Sequence, residues 1–347
     1  MSDQDTVAGP DELPMRVGVR THSIEAERMQ FLKQIGVEDV FVDHAGLNDD
    51  PTTVSIETGH PPTVEELVAA RRRVEDAGLR FAGIHTLDQH LYENIMFDWD
   101  GREEEIETIQ QLLRNMGQAD IPVLGYQWNT GPAQSRTSRS APVRGGAGAE
   151  EYKHSEADAP DELPPGLDRS YTEEEFWDNY EAFLEAVLPV AEQAGVRMAV
   201  HPTDPPTVKS LSGTPQLFRN FESFKRGMEL VPSDHHGLKL CLGCFSEMEN
   251  ADPIEVIRYF GERDEIVFVH FRDVIGTWPA FTETFIDDQE SNFDAMEAME
   301  ALQDVGFDGV IIPDHVPSTV GDTDWGHRSR AHATAYLKGL IRCVRTR

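Results

Sequence analysis

A strict alternation constrains this chain more than any other feature: eight short, apolar or β-branched runs, each followed by a longer segment of helical period. The runs are MRVGVR from Met15, DVFVD from Asp39, RFAGIH from Arg80, IPVLGYQ from Ile121, VRMAVH from Val196, GLKLC from Gly237, IVFVHF from Ile266 and GVIIPD from Gly309. Their nearly continuous apolar character fits parallel strands covered on both faces. Thr63 with Glu66, and Thr172 with Glu175, have the spacing of helix capping boxes. Gly36, Gly78, Gly117 and Gly195 stand where helices should stop. Further helices are expected from about Thr214, Asp252, Asn292 and Ser329. The phrases AGLRF, AGVRM and VGFDG recur before strands, as the loops of one repeated unit would.

Eight strand-then-helix units predict an α/β fold, a (β/α)₈ barrel, as one domain over residues 15–347. The competing architecture, an open doubly wound sheet, wants a glycine-rich phosphate turn after the first strand, and RTHSIEAE is no such turn. Residues 1–14, polar, acidic and proline-punctuated, are expected to form a flexible leader. One stretch breaks the rhythm, from about 128 to 170, rich in Gly, Ser, Pro and Arg. It follows the fourth strand, so it is expected as a loop insertion at the catalytic face, either a lid or a solvated excursion. Its Arg136, Arg139 and Arg144 form a basic cluster suited to clamping a carboxylate substrate.

Charge and cysteine content exclude several function classes. Acidic residues number 63 against 30 basic ones, a net charge of -33, and only six residues are lysine. Such a field repels phosphate backbones, which argues against a nucleic-acid partner. The surplus is spread along the chain, as expected of a halophilic cytoplasm, where a Debye length of ~3 Å at 1 M salt screens self-repulsion. No run approaches the ~20 apolar residues of a membrane span, and the first residues lack a secretory pattern. Three cysteines, Cys241, Cys244 and Cys343, are too few for a disulfide framework and suit a reducing cytosol. A cytoplasmic protein is expected; a homo-oligomer is compatible with the sequence but not specified by it.

In a (β/α)₈ barrel the catalytic groups sit at the C-terminal ends of strands. Reading those ends on strands five to eight gives His201, Cys241, His270 and Asp314, four potential ligands at four equivalent positions. Imidazole, thiolate and carboxylate together suit a divalent transition metal, Zn, Fe or Mn, the sulfur favouring Zn or Fe. Cys244 lacks the partners of a redox or zinc-ribbon motif and is expected to be structural. His315, next to Asp314, is placed for acid/base work. Arg272, two residues past His270, is placed to pair with a substrate carboxylate. Arg20, His22 and His85, at the first and third strand ends, are weaker candidates for substrate contact.

The segments AVHPTDPP from Ala199, LKLCLG from Leu238, VFVHFRDV from Val267 and IIPDH from Ile311 resemble the strand-end motifs of the mannonate dehydratase family, of the xylose-isomerase-like barrel superfamily. GREEEIETIQQLLRNMG from Gly101 is similar too, and the likeness covers most of the chain from about residue 80 onward. The resemblance implies a hydro-lyase of hexuronate and glucuronate catabolism that turns D-mannonate into 2-keto-3-deoxy-D-gluconate. It implies a Mn²⁺-type centre, with Fe²⁺ or Zn²⁺ as alternatives, on His201, Cys241, His270 and Asp314, and acid/base chemistry at His315. Substrate contacts are expected from Arg272, Arg20, His85 and Arg136. Where the family has a glycine after PDH and a later catalytic tyrosine, this chain has Val316–Pro317 and Trp325. An indole cannot replace a phenol in proton transfer, so Tyr126, Tyr92 or His327 is expected in that role, Tyr126 foremost. A sugar isomerase or epimerase on the same barrel, or a non-catalytic sugar-acid binding protein, are the competing readings. The first would lose no water, and the second would need no complete ligand set.

Overall fold

The computed structural model describes residues 15–43, 59–129, 136–157, 167, 169–206, 209–211 and 214–346; the expected leader lies outside them. The strands are β1 (Arg16–Thr21), β2 (Asp39–Val42), β3 (Arg80–Ile84), β4 (Val123–Gln127), β5 (Ser138–Pro142), β6 (Gly148–Lys153), β7 (Arg197–His201), β8 (Ser210–Leu211), β9 (Thr214–Pro215), β10 (His236–Cys241), β11 (Ile266–His270), β12 (Val274–Thr277), β13 (Ala280–Glu283) and β14 (Val310–Ile312). Eight of them close a parallel barrel in the order β1-β14-β11-β10-β7-β4-β3-β2, sealed where Arg16 of β1 pairs with Val310 of β14. These are the eight runs picked out by the sequence.

Period two along each strand sorts the side chains. The larger core lies between strands and helices and takes Val17, Val19, Leu124 and Leu238. A smaller cluster fills the barrel itself, where Phe41 and Phe268 stack at 4.2 Å and make a floor beneath the mouth. No described helix is long and apolar enough to cross a membrane.

The predicted capping boxes form: Thr63 with Glu66 opens Val64–Asp76, and Thr172 with Glu175 opens Glu173–Ala194, which Gly195 closes at φ 68°. Gly117 does not end its helix, which runs over Arg102–Gln118. Its role is close approach, because a Cβ there would sit 2.4 Å from the carbonyl oxygen of Ala194 on the neighbouring helix. The helix expected from Thr214 starts at Phe221, capped by Asn220, while Thr214–Pro215 is the edge strand β9. The insertion after β4 is not irregular throughout. Its β5 and β6 join β13 and β12, which follow the seventh barrel strand, in an antiparallel sheet ordered β12-β13-β6-β5.

Tyr126 faces away from the barrel mouth, which overturns its expected catalytic role. It is fully buried among the helices, its hydroxyl 2.7 Å from that of Tyr180 and 2.9 Å from His236 Nε2. Burial pushes the His236 pKa down to about 3, so the folded protein keeps this ring neutral. An unfolded histidine titrates near ~6.5. Between those values the unfolded chain binds the extra proton, so this group's stabilisation is complete above the unfolded value and lost as pH falls through the window. His236→Gln, whose amide oxygen accepts the same hydroxyl, is expected to reduce the loss of stability on acidification by up to ~1.4 kcal/mol per pH unit. Urea unfolding of both proteins between neutral pH and pH of about 5 measures it; equal pH slopes would contradict it.

Candidate functional site

His201, Cys241 and His270 close β7, β10 and β11, and Asp314 lies two residues beyond β14; all four are buried at the C-terminal mouth. Asp314 takes a left-handed backbone, φ 49°, a region that Asp tolerates better than most residues. Arg330 Nη1 donates to its carbonyl oxygen at 2.7 Å and holds the turn. The ligand atoms of His201, Cys241 and His270 lie within 4.8 Å of one another, and so do those of His85, His270 and Asp314. The four expected ligands are thus two overlapping groups that share His270. His85, expected to touch substrate, stands within the second.

The electrostatics favour metal donors. Burial alone would raise the Cys241 pKa. The Cys244 hydrogen bond, the Arg272 guanidinium and the neighbouring His201 and His270 rings overcome it and hold the thiol well below its usual value. Cys244 goes the other way, pushed up by burial and by the neighbouring Cys241, and stays the thiol that donates to it. Asp314 is held well below the carboxylate range, against burial, by His270, His315 and Arg20. His270 Nδ1 is buried 3.2 Å from Asp314 Oδ2, yet off the line of a hydrogen bond and with no other such partner among the described residues. A thiolate, imidazoles and a carboxylate converging around an orphaned ring nitrogen fit a divalent transition ion.

Two arginines expected to bind substrate are engaged elsewhere. Arg272 is 3% exposed and does not reach the cavity wall. Its Nη1 donates to Glu247 at 2.7 Å, its Nη2 to Asp204 at 3.0 Å and its Nε to Asp314 at 3.2 Å. No edge of its fork is left for a ligand. Arg136 does reach the wall, but it grips Asp204 at 2.6 and 2.8 Å and Glu283 at 2.9 Å. Arg144 pairs with Asp287, and Arg139 is 80% exposed. The basic cluster of the insertion is taken up by carboxylates.

A cavity of about 890 Å³ opens over these groups. His315 stands on its wall with Nδ1 2.9 Å from Glu283 Oε1 and Nε2 4.0 Å from Asp314. Burial lowers its pKa, but Asp314 and Glu283 outweigh that and lift it to about 9. Arg20 is on the wall as expected, 3.4 Å from Asp314 and 3.7 Å from Asp43. Lys239 and Arg330 also line the cavity and were missed by the sequence reasoning; among the described residues neither has a carboxylate within ion-pair range. Burial pushes the Lys239 ammonium down to about 7. Lys239 left a signal: it stands two residues before Cys241 in an apolar strand, so period two puts both on one face. Arg330 left none beyond its helix. Trp325 is on the wall, and so is Tyr92, whose hydroxyl donates to the Gln127 carbonyl.

Comparison with known proteins points the same way. The family model of D-mannonate dehydratase (UxuA) matches residues 22–167 and 166–347. A mannonate dehydratase of Thermotoga neapolitana is 31% identical over 314 residues, covering 82% of this chain and 85% of the relative. One from Streptococcus pneumoniae is 30% identical over 82% of this chain and 84% of its own length. The crystal structure of mannonate dehydratase from Streptococcus suis superposes with a TM-score of 0.84 at 26% identity, covering 96% of this chain and 94% of that one. On the length and continuity of these matches, the chain belongs to the D-mannonate dehydratase family.

Proposed function

We propose that the protein dehydrates D-mannonate to 2-keto-3-deoxy-D-gluconate and water, a step of hexuronate breakdown, with a divalent ion held by His201, Cys241, His270 and Asp314. The family is metal-dependent, and Mn²⁺ is the ion this reading assigns, with Fe²⁺ and Zn²⁺ as competitors for a thiolate-containing site. One observation carries the reading: His315, fixed on Glu283, stands at the edge of the donor cluster inside a cavity whose wall holds Lys239 and Arg330, neither with a carboxylate partner among the described residues.

The reaction removes the proton from C2, breaks the C3–O bond and leaves an enol that ketonises to the 2-keto acid. The hydroxyl departs as water once it has gained a proton. A bound divalent ion supplies Lewis-acid stabilisation of the negative charge that develops at the carboxylate end of the substrate. Arg330, Lys239 and Arg20 attract and orient that carboxylate. Glu283, an acceptor, fixes the hydrogen on His315 Nδ1 and leaves Nε2 turned toward Asp314 and the cavity. From there His315 donates the proton that lets the 3-hydroxyl leave. Neither Trp325 nor Tyr126 takes part: the first has no acid to offer and the second is out of reach.

Metal-reconstituted protein, assayed in molar KCl against a panel of aldonates, is expected to form a 2-keto-3-deoxy acid from D-mannonate. EDTA should abolish the activity and Mn²⁺ restore it. Isomerisation of a neutral sugar without loss of water, or no turnover of any aldonate, would refute the proposal. His315→Asn is expected to keep its metal content while kcat falls by about 10²–10⁴-fold. Elemental analysis beside single-turnover kinetics separates the two effects, and undiminished turnover would remove His315 from the mechanism.

A further inference from the structure

His85 is buried just beyond β3, and every polar atom of its ring is engaged. Its Nδ1 lies 2.7 Å from Asp43 Oδ1. An ionised carboxylate can only accept, so this nitrogen carries the hydrogen and Nε2 carries a lone pair. Nε2 lies 3.0 Å from His270 Nε2 in hydrogen-bond geometry, with the two ring planes 9° apart. The only donor available to that contact is the Nε2–H of His270. Its other nitrogen, Nδ1, is then bare, and it is the orphaned buried atom that lies 3.2 Å from Asp314 Oδ2. Two acceptors facing each other with no proton between them leave a place for a cation.

From this geometry we infer that His85 is a positioning residue for the ion site: it accepts the Nε2–H of His270 and so commits His270 Nδ1 to the ion. The relay Asp43–His85–His270 stands where a metal-binding histidine ordinarily has one carboxylate or carbonyl oxygen on its outer nitrogen. His201 shows that simpler arrangement, with Nδ1 2.7 Å from the Pro202 carbonyl oxygen and Nε2 left for the ion. Lys239 braces the relay from the barrel interior, donating to the His85 carbonyl at 2.8 Å and to Thr86 Oγ1 at 2.6 Å, while Thr86 Oγ1 lies 3.0 Å from His85 Nδ1. The inference rests on the metal reading of the site given above, and it replaces the expected contact of His85 with substrate.

Nuclear magnetic resonance of protein carrying nitrogen-labelled histidine and loaded with NMR-active cadmium reads the relay atom by atom. Metal coupling is expected at His270 Nδ1 and at His201 Nε2, with none at His85. By metal titration, His85→Phe should weaken Mn²⁺ and Cd²⁺ binding by about 10–100-fold. His85→Gln, whose amide oxygen accepts the same N–H, should recover most of that loss. Coupling at His85 Nε2 would make it a ligand instead, and coupling at His270 Nε2 would reverse the relay; either overturns the inference, as does unchanged affinity in His85→Phe. If His85→Phe does not fold, the coupling pattern of the parent protein decides alone. A parent protein that takes up neither ion sinks the metal reading and the relay together. Loss of the ion in His201→Ala beside undiminished binding in His85→Phe sinks the relay only.

Discussion

A guanidinium with almost no access to water organises the mouth of this barrel. Arg272 reaches Asp204, Glu247 and Asp314 at once and lies 3.3 Å from Cys244 Sγ. Removing charges from water costs several kcal/mol each unless partners replace the solvent. The sequence places four carboxylates, Asp204, Glu247, Glu283 and Asp314, in a region with little solvent. Arg272 and Arg136 make that tolerable for Asp204, Glu283 and Asp314, which stay ionised below the usual range, while burial drives Glu247 well above its ordinary value. The Cys241 thiolate adds a second anionic donor beside Asp314 at the mouth.

The same ion pairs tie distant parts of the chain together. Arg136 precedes β5 in the insertion, Glu283 ends β13, Asp204 follows β7 and His315 follows β14. Glu283 accepts from both Arg136 and His315, so the extra sheet and His315 are fixed by one carboxylate. Through Glu283 at the end of β13, the sheet sets the orientation of the His315 ring. Breaking a buried pair by removing one partner typically costs about 3–5 kcal/mol, so loss of any one of these side chains leaves a buried charge uncompensated.

The barrel was legible because eight fully covered parallel strands write continuous apolar runs, and because capping boxes such as Thr172 with Glu175 are local chemistry. The convergence of His201, Cys241, His270 and Asp314 was legible because the fold turns the ends of its strands toward one mouth. The insertion sheet was not legible, since Phe281 of β13 pairs with Tyr152 of β6 across 129 residues of chain and no local pattern announces it. Nor could the sequence say which carboxylate an arginine meets. Arg272 looked like a substrate clamp from its place beside His270, and only the packing of Asp204 and Glu247 around it reveals otherwise. Tyr126 failed for another reason: period two puts it with Leu124 on the helix-facing side of β4, away from the mouth.

The chain's net charge of -33 sits oddly with a proposed anionic substrate. Screening reconciles the two, since the Debye length is about 8 Å at physiological ionic strength and shorter in concentrated salt. Surface carboxylates beyond that distance contribute little inside the cavity, whose walls are of low dielectric and amplify nearby charges. Lys239 and Arg330 are within reach there, and neither is neutralised by a carboxylate in direct contact among the described residues. A sugar acid therefore meets a repulsive surface at long range and an attractive pocket at short range. Rising salt weakens the first more than the second, because the cavity cations are buried and screened less than the exposed acids around them.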